Sequence, residues 1–140
     1  MEQLHTLAQT VALGDIAPLR QQLEKAMLLS GGDPEAVADM ILALNEAIVN
    51  SVRHGYRGQP GEVQIEIWRA GRSLVVKHID AAPLFDPTAV PSPDVTLPID
   101  LRPLGGMGIL MMRHFTDELR YEQTPNGRNQ LTFTKHNTFI

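Results

Sequence analysis

Between residues 33 and 56 apolar side chains return at three- and four-residue steps: Val37, Met40, Ile41, Leu44, Ile48 and Val52. At about 100° per residue these six share one stripe and predict an amphipathic helix lying on a core. Asp33 is placed to cap it, Pro34 suits its first turn, and Glu35 meets the positive end of its dipole. Gly55 is expected to end it in the left-handed conformation. Upstream, Ile16, Leu19, Leu23, Ala26 and Met27 form a second helical stripe, opened by Asp15 as cap and closed by Gly31-Gly32. Leu4, Leu7, Ala8 and Val11 give a short apolar series, read as a first strand over residues 3–12.

Downstream the period changes from helical to two. Residues 62–69 alternate Val63, Ile65 and Ile67 with Glu62, Gln64, Glu66 and Trp68. Ala70-Gly71 turns the chain into a second strand, residues 73–80, which ends on Asp80. Residues 86–104 are proline-rich and aperiodic, as functional loops often are. Gly105-Gly106-Met107-Gly108 then opens a helix with Ile109, Met112 and Phe115 inward. Strands over 119–123 and 130–135 follow, joined by Asn126-Gly127. The order β, α, α, β, β, loop, α, β, β predicts one α+β domain over residues 1–140. Its form is a two-layer sandwich, a mixed and mostly antiparallel sheet with helices on one face.

Composition narrows the function classes. The 140 residues carry a net charge of −4 without a basic cluster, which argues against direct nucleic-acid binding. The absence of cysteine removes disulfides, thiolate catalysis and thiolate metal sites. No segment has the length and apolarity of a membrane span or the pattern of a signal peptide, so the expected setting is cytoplasmic and away from membranes.

The candidate chemistry sits on the other side of the main helix, where Asp39, Ala43, Glu46, Asn50, Arg53 and His54 share a sector. Glu46 and Asn50, one turn apart beside small Ala43 and Ala47, can hold a hydrated Mg²⁺ or orient a proton acceptor; they also suit an ordinary polar surface. The 105–108 glycines can cradle an anion at a helix start or simply connect two elements. They match neither the Walker loop nor the dinucleotide fingerprint. Asp80 alone reads as a strand-end turn residue. The histidines lack metal-ligand spacing, and Ser30, Ser51, Ser73 and Ser92 sit in no nucleophile elbow, so structural roles suffice for them.

Taken in order, ALNEAIVNSVRHGY, IDAAPLFDP, the proline-rich loop, LGGMGILMMRHFTDELRYE and QLTFTK resemble the GHKL ATPase/kinase superfamily of the gyrase, histidine kinase and MutL type. The resemblance is strongest to its anti-sigma factor serine/threonine kinase branch, the RsbW-like proteins, and runs from about Leu4 to Lys135. It implies ATP and Mg²⁺ as cofactors. Asn50 would bind the metal that bridges the phosphates, and Glu46 would be the general base. Asp80 would accept the adenine amino group, with His54, Ala82 and Phe85 nearby. Gly105, Gly106, Met107 and Gly108 would wrap the phosphates, and residues 86–104 would form the lid. The family pattern Asp-x-Gly reads Asp80-Ala81-Ala82 here. Ala82 would be strained if that position needs positive φ, so Ala82→Gly is expected to tighten ATP binding. The implied partners are a STAS-type anti-sigma-factor antagonist as phosphate acceptor, a sigma factor or other effector as client, and a second copy in a homodimer. An alternative is a degenerate module that sequesters a protein partner without catalysis. A sensor histidine kinase fits less well, since 140 residues leave no room for a dimerisation helix pair.

Overall fold

A computed structural model describes residues 1–89, 96 and 107–140. Strand β1 (Glu2–Val11) leads through a short 3-10 turn into helix α1 (Ile16–Leu29). Asp15 caps the turn and not the helix, its Oδ2 accepting the Ala12 N–H at 2.9 Å. Helix α1 buries Ile16, Leu19, Leu23 and Met27, and Gly31 ends it at φ +93°. Helix α2 (Pro34–Asn50) starts where the sequence marks it, with Asp33 Oδ2 accepting the Ala36 N–H at 3.0 Å.

The end of α2 differs from expectation. The helix passes into a π-helical turn over Ser51–Gly55, and the left-handed residues come later, at Arg57 and Gly58. Gly55 is needed for closeness: a Cβ there would lie 2.6 Å from the Cβ of Ala82. The small face of α2 is also not open. Ala43 and Ala47 are fully buried, because helix α3 (Met107–Phe115) packs against that side.

The remaining strands are β2 (Gly61–Ala70), β3 (Ser73–Asp80), β4 (Glu118–Gln123) and β5 (Asn129–Lys135). They form a five-stranded sheet in the order β1-β2-β3-β5-β4. Every pairing is antiparallel, so the expected mixed sheet is antiparallel throughout. Two helices between β1 and β2 return the chain to the end at which β1 finishes, where Val11 pairs with Gly61; β3 and β4 run the same way, but β5 lies between them.

Register fixes the inner face. Residues opposite one another in antiparallel strands point to the same side. Ile67, Val76, Phe133 and Leu119 therefore form one row and Ile65, His78, Leu131 and Tyr121 the next. A third row, Val63, Asp80, Asn129 and Gln123, ends the series. The inner face is apolar in the first row and polar in the last. Lys135 links the two layers at the apolar end, pairing with Asp39 at 3.0 Å and donating to the Phe115 carbonyl at 3.1 Å. The last residues also dock: Phe139 is buried, and its N–H and that of Thr138 reach the Arg72 carbonyl. No helix among the described residues is long and apolar enough to cross a membrane.

Candidate functional site

A cleft of about 740 Å³ opens where the polar row of the sheet meets the end of α2 and the start of α3. Glu46 and Asn50 project into it from α2. Helix α3 begins against them: a Cβ on Gly108 would lie 3.2 Å from Glu46 Oε2 and 3.3 Å from Asn50 Nδ2. Both side chains are half-buried and neither has a hydrogen-bond partner among the described residues. With no protein partner and access to the cleft, this carboxylate and amide are available to a polar ligand. The N-terminal N–H groups of α3, with their positive dipole end, are at the same place.

The opposite end of the cleft is built on Asp80, which is 7% exposed. Its Oδ2 accepts the Ser51 hydroxyl at 2.6 Å; its Oδ1 accepts Asn129 Nδ2 at 2.8 Å and the Ala82 N–H at 3.2 Å. His78 lies behind Ser51, with Nε2 3.2 Å from the hydroxyl oxygen. Burial pushes the His78 imidazole below its ordinary pKa, and the nearby Asp80 charge opposes that effect.

Asn129 ties this end together. Its Nδ2 also reaches the Ala82 and Pro83 carbonyls, and its Oδ1 accepts the Phe85 N–H at 3.0 Å and the Tyr121 hydroxyl at 2.6 Å. Tyr56 holds the other side of the same loop, accepting the Ala81 N–H at 2.8 Å. Burial raises the Tyr56 pKa, which keeps the phenol protonated and able to donate to the Glu62 carbonyl.

Of the residues marked by the sequence, Glu46, Asn50, His54, Asp80, Ala82, Phe85 and Gly108 all line this cleft. Arg53 lines it too. Gly105, Gly106 and residues 90–95 and 97–104 of the expected lid lie outside the described residues, and Met107 opens α3. The strain expected at Ala82 is absent. Positive φ outside glycine is confined, among the described residues, to Arg57 and Asn137, and the Ala82 methyl fills the space that Gly55 leaves.

Sequence reasoning misses Ser51, His78, Asn129 and Tyr56 as parts of the site. Two of them carry a readable signal: His78 shares a strand face with Asp80, and Asn129 shares one with Leu131 and Phe133. Ser51 follows Asn50 directly, but its sequence context speaks only to whether it is a nucleophile.

The histidine kinase-like ATPase domain matches residues 10–135. Serine/threonine-protein kinase BtrW of Bordetella bronchiseptica is 32% identical over 98 residues, covering 69% of this chain and 68% of its own. An anti-sigma F factor from a Thermoanaerobacter species is 30% identical over 73% of this chain and 71% of its own. Serine-protein kinase RsbW of Listeria monocytogenes is 28% identical over 84% of this chain and 75% of its own. A crystal structure of RsbU and RsbW domains from Mycobacterium tuberculosis superposes with a TM-score of 0.62 at 21% identity. It covers 97% of this chain, which spans 34% of that longer one. The chain belongs to the histidine kinase-like ATPase family, in its anti-sigma factor serine kinase branch.

Proposed function

We propose that this protein is an anti-sigma regulatory factor that uses ATP to phosphorylate a serine or threonine of a STAS-type antagonist, in a partner-switching system. The observation that carries the reading is the pair Glu46 and Asn50, half-buried, without partners among the described residues and set against Gly108 at the start of α3. One amide oxygen, that of Asn50, is too little to retain Mg²⁺ alone; it suits a cation that arrives with nucleotide phosphates and keeps several waters, which leaves the Glu46 carboxylate free as a base. Bound there, Mg²⁺ would neutralise phosphate charge.

Phosphoryl transfer asks the protein mainly for positioning and electrostatics. The α3 N-terminus favours the negative phosphates, and Asn50 orients the metal-bound end. Glu46 accepts the proton of the acceptor hydroxyl as its oxygen bonds to the γ-phosphorus and the bond to ADP breaks. At the other end Asp80 takes the adenine amino group; a keto oxygen in that place would be repelled. The added phosphate then changes docking by charge and desolvation at the partner interface. A sigma factor as the sequestered client, homodimerisation and a cytoplasmic setting belong to the same reading and rest on the resemblance.

The test is transfer of labelled γ-phosphate from ATP to a STAS-type antagonist. Wild type should transfer, Glu46→Gln should bind ATP but transfer at least about 100-fold more slowly, and Asn50→Ala should lose Mg²⁺-dependent binding. Binding of the antagonist without transfer would instead favour sequestration by a non-catalytic module.

A further inference from the structure

His78 is a buried titratable group for which the reaction above has no use. We infer that His78 and Ser51 are positioning residues for Asp80: the buried His78–Ser51–Asp80 chain sets how many acceptor sites the carboxylate offers the ligand, and so how strongly the cleft prefers a base bearing an exocyclic amino group. The inference rests on the nucleotide reading and deepens it.

A carboxylate has about four lone-pair sites. On Asp80, Asn129 Nδ2 and the Ala82 N–H occupy two on Oδ1, and the Ser51 hydroxyl occupies one on Oδ2. One site remains, and Asp80 lines the cleft. One donor of a ligand is therefore satisfied, and a ligand without a donor leaves a buried acceptor unpaired.

Ser51 has one proton and three acceptors within reach: Asp80 Oδ2 at 2.6 Å, His78 Nε2 at 3.2 Å and the Ala47 carbonyl at 3.2 Å. Serine in a helix commonly donates back to the carbonyl four residues earlier, so the proton has a competing destination. When His78 donates to the Ser51 oxygen, the hydroxyl proton is left for Asp80. When His78 presents a lone pair, it competes for that proton and frees Oδ2. The imidazole, 2% exposed and out of reach of bulk water, thus governs the Asp80 acceptor through Ser51.

The experiment compares the affinity of ATP with that of purine riboside 5′-triphosphate, which lacks the 6-amino group, by titration calorimetry with Mg²⁺. Wild type should prefer ATP by about tenfold or more, the worth of one charge-assisted hydrogen bond. In Ser51→Ala, and in the double variant with His78→Leu, both of which leave Asp80 Oδ2 without its protein donor, that ratio should rise about threefold or more, and His78→Leu alone should move it by a similar factor. The affinity for the deaminated nucleotide should hardly change, and Ser51→Thr, which keeps the hydroxyl, should retain the preference. Equal losses for both nucleotides, or an unchanged ratio, would show a merely structural role and overturn the inference. A wild type that binds both equally would overturn the adenine reading of Asp80 itself.

Discussion

Gly55 and Ala82 share room for one methyl group, and that can be measured. A Cβ on Gly55 would lie 2.6 Å from the Ala82 Cβ, about 0.9 Å inside the optimal carbon–carbon separation. The backbone itself permits alanine, since Gly55 closes a π-helical turn and has no positive φ. Alanine in place of a helical glycine would by itself stabilise by roughly 1 kcal/mol. Ala82 cannot retreat freely, because its N–H is held by Asp80 and its carbonyl by Asn129. Overpacking should cost about 2–3 kcal/mol, so Gly55→Ala should destabilise by roughly 1–2 kcal/mol net. Ala82→Gly alone removes a buried methyl and adds chain entropy to the unfolded state, a loss of roughly 1–2 kcal/mol. It should not tighten ATP binding, contrary to the expectation from family pattern. The double variant Gly55→Ala/Ala82→Gly moves the methyl across the contact and should return close to wild-type stability, a coupling of about 2 kcal/mol or more. Urea titration of the four proteins by far-UV circular dichroism gives the cycle. Additivity within about 0.5 kcal/mol would refute the shared-space argument.

Gly108→Ala places a methyl 3.2 Å from Glu46 Oε2 and 3.3 Å from Asn50 Nδ2. Folding stability should stay within about 0.5 kcal/mol of wild type, while calorimetry should find MgATP binding weakened about tenfold; unchanged affinity would put the phosphates elsewhere. Asn129→Ala removes the amide that joins β5 to Asp80, the Ala82 and Pro83 carbonyls, Phe85 and Tyr121, and should destabilise by roughly 2–4 kcal/mol in urea. A loss under about 1 kcal/mol would mean that water replaces it. Because burial depresses the His78 pKa in the folded state, the unfolded chain binds the proton first as pH falls. Stability should therefore be lost below about pH 6.5 at up to about 1.4 kcal/mol per pH unit, down to the folded-state pKa, relative to His78→Leu. Parallel stability curves for the two proteins between pH 7.5 and 5.5 would contradict this.

How much of the site is legible in the sequence depends on whether its contacts are local. Glu46 and Asn50 lie one turn apart on a helix whose start and stripe are both legible, so their common direction follows from helical geometry. Helix α3, separated from them by more than fifty residues, is recognisable as a helix, but nothing local shows that it covers Ala43 and Ala47. Gly55 is the right residue for the wrong reason: left-handed φ is a property of one residue, whereas closeness to Ala82 belongs to two distant segments. The strands make the same point. Alternation puts Leu74, Val76, His78 and Asp80 on one face of β3 and Asn129, Leu131 and Phe133 on one face of β5, but parity does not give register. Only pairing sets Asp80 opposite Asn129 and carries the polar row across the sheet. A core face that turns from Val76 to His78 to Asp80 along one strand is thus a pointer to the site that alternation alone supplies. The hydrophobic effect accounts for the first of these residues. The other two are buried polar groups that must find partners, and they find them, through Ser51 and Asn129, at the wall of the cleft.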